Sequence, residues 1–166
     1  LVDLGANLVL VGRNRLKTEQ IAQSLQTREG AGRILVEIAD LSLMKDIQAL
    51  AARISERCPT VNVLINNAGA LFNERQVTAE GVEKTLATDL LGPFLLSRLL
   101  LPNLAAGRPS RIVNVSSGGM YTRKIDLDNL DSANGAYNGA EAYARAKRGL
   151  VMLTEGWGGL LAESGI

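Results

Sequence analysis

Residues 61–69 read Val-Asn-Val-Leu-Ile-Asn-Asn-Ala-Gly. Val61 to Asn66 is a short apolar run of strand length, and Asn67, Ala68 and Gly69 close it with turn residues. Working outward, the same alternation of apolar runs and helix-period segments recurs on both sides. Upstream, residues 7–12 read as a buried strand, followed by a helix over 15–27 with Asn14 as N-cap and Leu16, Ile21 and Leu25 on its inward face. Residues 33–38 read as the next strand. Ser42 is then expected to cap a helix through Arg57 that carries Leu43, Ile47, Leu50 and Ile54 on one stripe, with Pro59 marking its end. Downstream, Thr78 is expected to open a long helix toward Ala106, bent at Gly92-Pro93, and Arg111 to Ser117 reads as a fourth strand. A polar loop over 118–138 precedes a last helix over 139–163.

Strands that alternate with helices imply parallel pairing through right-handed crossovers, hence an α/β fold with a doubly wound parallel sheet and helices on both faces. Ligands of such sheets bind outside the carboxyl ends of the strands. Function is therefore sought just after each strand, at Gly12-Arg13, Asp40, Asn67 to Ala70 and Ser116 to Tyr121.

Composition removes several classes. The 166 residues are 46% hydrophobic, enough for one globular domain with its own core. Lys and Arg number 18 against 17 Asp and Glu, so the net charge of +1 gives no field to steer nucleic acid or an anionic membrane. There is no His, which sets aside Ser-His-Asp triads, Cys-His pairs and most zinc sites, and no metal is expected. Cys58 is the single cysteine and no secretory leader opens the chain, so a reducing, cytoplasmic setting is expected. The most apolar stretch, 86–104, holds Asp89, Arg98 and Asn103 around Gly92-Pro93 and reads as a core helix, not a membrane span.

Three groups of residues carry chemistry. Tyr143 and Lys147 stand at i and i+4, one turn apart on one helix face, where a cation favours phenolate over phenol. Chance gives such a pair in about one chain in ten, so alone it decides nothing. Asn66-Asn67-Ala68-Gly69 ends a strand with small residues that let backbone approach a flat ligand, although an ordinary Asn/Gly turn would look the same. Arg111 to Ser117 ends the next strand with two hydroxyls, each able to donate to a carbonyl oxygen or simply to shape a turn.

All three occur in order, and together they resemble the short-chain dehydrogenase/reductase superfamily over essentially all of residues 1–166. Residues 115–120, 143–148 and 153–155 are similar to its retinol-dehydrogenase-like branch. The resemblance implies a Rossmann-type NADP-dependent oxidoreductase that moves a hydride between a nicotinamide and a carbonyl or alcohol carbon. It implies Tyr143 as acid/base, Lys147 as the cation that eases its ionisation and holds the nicotinamide ribose, and Ser117 as the group polarising the substrate oxygen. Asn67, Ala68 and Gly69 would line the adenosine and ribose side. Asp40 and Leu41 would flank the adenine, with Asp40 accepting from its amino group or merely capping a strand end. Arg13 would pair with a 2′-phosphate, an acidic residue being the usual partner of a 2′-hydroxyl there.

Two departures stand out. Where the superfamily carries an Asn in a Thr-Asn-x-x-Gly context, this sequence has Thr88-Asp89 followed by Leu-Leu-Gly92, so Asp89 joins the catalytic candidates as a carboxylate in place of an amide. The resemblance also implies a first strand with a Gly-rich turn ahead of Asn7 and later strands beyond Ile166. The domain over 1–166 is accordingly expected to be incomplete at both ends. With a superfamily strand order of 3-2-1-4-5-6-7, the implied first strand would lie between those at 7–12 and 61–66. Leu71, Phe72, Met120 and Tyr121 flank the expected site and either point to an apolar small-molecule ketone, aldehyde or alcohol as partner or simply pack the loops; a homo-oligomer is left open. A non-catalytic dinucleotide-binding scaffold, suggested by Asp89, and an unrelated doubly wound protein such as a methyltransferase are the rival readings. Binding of NADPH without response to S-adenosylmethionine would separate the last from the others.

Overall fold

The computed structural model describes residues 1–166. Its elements run β1 (Leu8–Gly12), α1 (Arg15–Gln26), β2 (Ile34–Ile38), α2 (Met44–Arg57), β3 (Val63–Asn66), α3 (Gly92–Ala106), β4 (Arg111–Asn114) and α4 (Gly139–Leu161). The strands form two two-stranded sheets, β1 with β2 and β3 with β4, both parallel. The chain divides into two compact units, Leu1–Asp40 and Leu41–Ile166.

In the first unit, the strand–helix–strand order follows the expectation from sequence, and Asn14 caps α1 by accepting from the Lys17 amide at 3.0 Å. The inward face of α1 does not follow it. Leu16 is 73% exposed and Ile21 is exposed as well, while Thr18 and Ala22 are the buried residues. The reason is local and steric. Thr18 donates from its hydroxyl to the Asn14 carbonyl at 2.7 Å and packs where a Cβ on Gly12 would collide with it. The small Thr18/Ala22 edge, not the Leu/Ile edge, therefore faces β1.

In the second unit, α2 buries Ile47, Leu50 and Ile54 of the expected stripe and Ala51 beside them, while Leu43, the fourth expected residue, is the N-cap and only half-buried. Each of the Leu and Ile side chains taken fully from water contributes about 1.5–3 kcal/mol. It packs on α3, whose buried face carries Leu96, Leu100 and Leu104. A second cluster, Leu86, Leu90, Ala146 and Leu150, joins the segment before α3 to α4.

Both expected helix caps in this unit are corrected. The N-cap of α2 is Leu43 and not Ser42, and the Met44 and Lys45 amides are taken by the Glu80 carboxylate at 2.6 and 3.0 Å. Thr78 starts no helix, because Gly81 stands at φ 81° and closes a turn in which Val77 bridges Glu83. Helical structure begins at Lys84, with the buried Glu83 carboxylate accepting from the Thr85 and Leu86 amides at 2.9 and 2.7 Å. A carboxylate suits that place because free amides and the helix dipole both favour negative charge there. The bend expected at Gly92-Pro93 is instead a π-helical turn, Ala87–Leu91, just ahead of Pro93. Pro93 has no N–H to give, and the wider turn absorbs the break in the hydrogen-bond ladder.

The strands are shorter than expected, β3 starting at Val63 and β4 ending at Asn114. Their carboxyl ends are tied by a polar chain that runs from the buried Asn66 and Ser97 out to the exposed Thr154. Asn66 Nδ2 donates to Ser97 Oγ and Asn114 Oδ1 at 2.9 and 2.8 Å, and Asn114 Nδ2 donates to Thr154 Oγ1 on α4 at 2.8 Å. Because register sets which residues arrive at the strand ends, this chain determines what the loops beyond them present.

Candidate active site

Beyond β3 and β4 lies an open cavity of about 430 Å³, lined by Asn67, Gly69, Ala70, Leu71, Val115, Ser116, Tyr143 and Lys147. Asn138 caps α4 by accepting from the Glu141 amide at 3.1 Å, and one turn further along Tyr143 and Lys147 face this space. The Lys147 ammonium lies 5.6 Å from the Tyr143 ring centroid, within reach of the ring's electron-rich face.

Lys147 is 3% exposed. A buried ammonium needs partners, and it has two kinds. It donates to the Val115 carbonyl at 3.0 Å, and it stands 4.0 Å from Asp89 Oδ1. Ser116 returns the tie by donating to the Lys147 carbonyl at 3.1 Å, so the end of β4 and this turn of α4 hold each other.

Asp89 sits in the π-helical turn and is fully buried. Its Oδ1 accepts from the Ala70 amide at 2.8 Å, while Oδ2 has no hydrogen-bond partner. Burial pushes its pKa from 3.8 up to about 6; the Ala70 amide and the Lys147 charge pull it back, and the nearby Glu83 carboxylate adds to the rise. Gly69 fits between these groups only because it lacks a side chain, since a Cβ there would lie 2.9 Å from Asp89 Oδ1 and 3.2 Å from Lys147 Nζ.

The structure thus brings together Asn67, Gly69, Asp89, Tyr143 and Lys147, with Ala68 exposed in the same turn. Ser117 is placed differently from its neighbour. Its Oγ accepts from the Gly119 amide at 3.3 Å, starting the short 3-10 turn Gly118–Thr122, whereas Ser116 is on the cavity wall. Leu41 opens the second unit with its carbonyl oxygen close to Gly92, where a Cβ would come within 2.7 Å of it. Arg13 and Asp40 belong to the first unit, Arg13 exposed immediately after β1 and Asp40 half-buried beyond β2. Sequence reasoning missed the Val115 carbonyl and the Ala70 amide, because backbone groups leave no trace in side-chain identity. Ser116 lies within the stretch expected to carry function after β4, but of the two hydroxyls the resemblance singles out Ser117.

The short chain dehydrogenase family profile matches residues 1–166, the whole chain. The chain belongs to the short chain dehydrogenase family. Its fold is accordingly the Rossmann-type α/β fold of that family. Among curated short chain dehydrogenases, it is 37% identical over 153 residues to dehydrogenase/reductase SDR family member 12 of Bos taurus, covering 92% of this chain and 48% of that protein. It is 37% identical over 166 residues to human retinol dehydrogenase 11, covering 100% of this chain and 52% of the relative. The chain therefore spans about half the length of the curated relatives it matches. A metagenomic short-chain oxidoreductase crystallised in complex with NADP superposes with a TM-score of 0.75 at 26% identity, covering 98% of this chain and 68% of that one.

Proposed function

We propose that this short chain dehydrogenase is an NADP(H)-dependent oxidoreductase acting on a carbonyl or alcohol carbon of a small apolar substrate. The observation that carries the reading is the single cavity onto which Tyr143, the buried Lys147 and the Asn67–Ala70 turn all open. The residues suit a nicotinamide dinucleotide: Gly69 leaves room beside Lys147 that a side chain would fill, and the wall combines a buried cation with small residues. When bound, the nicotinamide supplies or accepts the hydride.

In reduction, Tyr143 gives its hydroxyl proton to the carbonyl oxygen of the substrate; in oxidation it takes that proton back. Lys147 keeps a positive charge beside the phenol, which favours the ionised ring, and its remaining N–H donors hold the cofactor ribose. Ser117 donates its hydroxyl proton to the substrate oxygen, which it can do while its Oγ still accepts from the Gly119 amide. Asn67, Ala68 and Gly69 line the adenosine and ribose side, with Asp40 and Leu41 at the adenine.

Arg13 selects the phosphorylated cofactor, because a guanidinium pairs in bidentate fashion with a phosphate and no acidic side chain follows β1 to repel one. NADPH is therefore expected to bind the full-length protein more tightly than NADH, and Arg13→Ala is expected to cost NADPH about 1.5–3 kcal/mol while leaving NADH nearly unchanged. Fluorescence titration of both cofactors against both proteins checks this; equal affinities in the wild type would refute the assignment. A second reading, dinucleotide binding without turnover, is favoured by the buried carboxylate of Asp89 beside Lys147, and it predicts saturable NADPH binding with no product.

A further inference from the structure

The loop that leaves β3 touches the rest of its unit at Ala70 and again at Phe72, whose ring also lies under the Lys84 ammonium at 5.0 Å. Ala70 donates its amide to Asp89 Oδ1 at 2.8 Å, and two residues later the Phe72 backbone is pressed against Gly139, the buried first residue of α4. A Cβ at position 139 would overlap the Phe72 carbonyl oxygen and stand 2.9 Å from its carbonyl carbon and 3.3 Å from Asn73 Cα. Carbon–carbon contact lies at about 3.5–4.0 Å, and the atoms in the way are backbone, so no rotamer change can clear them. Gly139 has no unusual φ to explain it. Its reason is this close approach.

Between Ala70 and Phe72 stands Leu71, half-exposed and on the cavity wall, and one turn after Gly139 on the same helix stands Tyr143 on the facing side. We infer that Gly139 is a positioning residue: the side chain it lacks sets the gap between Leu71 and Tyr143, and thereby the size of carbonyl substituent the site admits. The inference rests on the oxidoreductase reading above.

Which partner yields to a methyl group at 139 follows from how each is held. The first turns of α4 are capped by Asn138 and anchored by the buried Ala142, Ala144 and Ala146, whereas Leu71 and Asn73 are exposed and lie in no regular element. The loop is the part that moves, away from α4, and the cavity widens. Ala is also the better helix former, so the substitution does not weaken the helix itself.

The test compares full-length wild type, Gly139→Ala, Leu71→Ala and the double variant with NADPH and two methyl ketones, 2-butanone and 2-acetylnaphthalene. Hydrogen–deuterium exchange over residues 70–73 is followed in parallel. In Gly139→Ala, the ratio of kcat/KM for the bulky over the small ketone is expected to rise about tenfold through KM, with kcat for 2-butanone little changed and faster exchange at the Ala70 amide. Leu71→Ala should move the ratio in the same direction, and the double variant should add little, since both act on one wall. Faster exchange with an unchanged ratio would overturn the inference. So would an unchanged ratio in Leu71→Ala, which decides the matter even if Gly139→Ala does not fold. Wild type that turns over neither ketone nor any other carbonyl would instead overturn the oxidoreductase reading, and this inference with it.

Discussion

Replacing Tyr143 by Phe is expected to lower turnover of the full-length protein by about 10² to 10⁴-fold while NADPH affinity stays nearly unchanged. The substitution removes one hydroxyl and keeps the ring, so the contact with the Lys147 ammonium at 5.6 Å survives and the cavity wall keeps its shape. What is lost is the proposed proton donor, and the range quoted is the usual cost of losing a general acid/base. Lys147→Ala is expected to behave differently, losing cofactor affinity as well as turnover. It also strips Asp89 of the cation 4.0 Å away and leaves the Val115 carbonyl without its donor, so a lower melting temperature should accompany the loss. Single-turnover rates, a cofactor titration and a thermal melt on the two variants distinguish these patterns. Tyr143→Phe retaining most of the activity would show that the proton comes from elsewhere.

The second large effect is expected at Asp89, and it is read first in stability. In the folded chain its pKa is about 6 against an ordinary 3.8, with burial as the leading cause. A folded pKa above the unfolded one means that the group's stabilising contribution is complete below about pH 3.8 and is lost as pH rises through about 6. Each pH unit of that gap is worth about 1.4 kcal/mol, so carrying the charge at pH 8 costs roughly 3 kcal/mol. Asp89→Asn removes that cost and keeps the acceptor for the Ala70 amide, but it places an amide NH₂ where the partnerless Oδ2 now lies. The variant is therefore expected to gain on the wild type between about pH 4 and 6 and to hold a constant advantage from about pH 7 upward, with little or none at the acid end. Denaturant melts across that range check it, and a difference that does not change with pH would contradict it.

The same substitution has a consequence for activity. Removing a negative charge beside Lys147 leaves the pull of the ammonium on the Tyr143 phenol undivided, so activity is expected to be equal or higher. A large loss of activity would mean that the carboxylate has a task of its own.

What could be read from the sequence divides along physical lines. The α2 stripe was legible because Ile47, Leu50 and Ile54 are large, apolar and correctly spaced, and nothing competes for that face. On α1 the same rule failed, since Gly12 and Thr18 fit together more closely than Leu16 or Ile21 could against the strand, a contact visible only in three dimensions. The cap of α2 comes from Glu80, 36 residues from Met44 in the chain, which no local pattern could announce. In the site, Tyr143 and Lys147 were legible because one helical turn joins them whatever else the fold does. Gly139 was not, because the reason for a glycine there is the Phe72 backbone, far away in sequence.

The most direct test of the proposed chemistry is isotopic. Full-length protein is incubated with NADPH carrying deuterium at the transferable C4 position and an apolar ketone, and the alcohol is examined by mass spectrometry. The predicted result is deuterium on the carbinol carbon with the wild type, and at least a hundredfold less in the same time with Tyr143→Phe. Saturable NADPH binding with no label in any alcohol would contradict it and leave this short chain dehydrogenase as a dinucleotide-binding protein without the reaction.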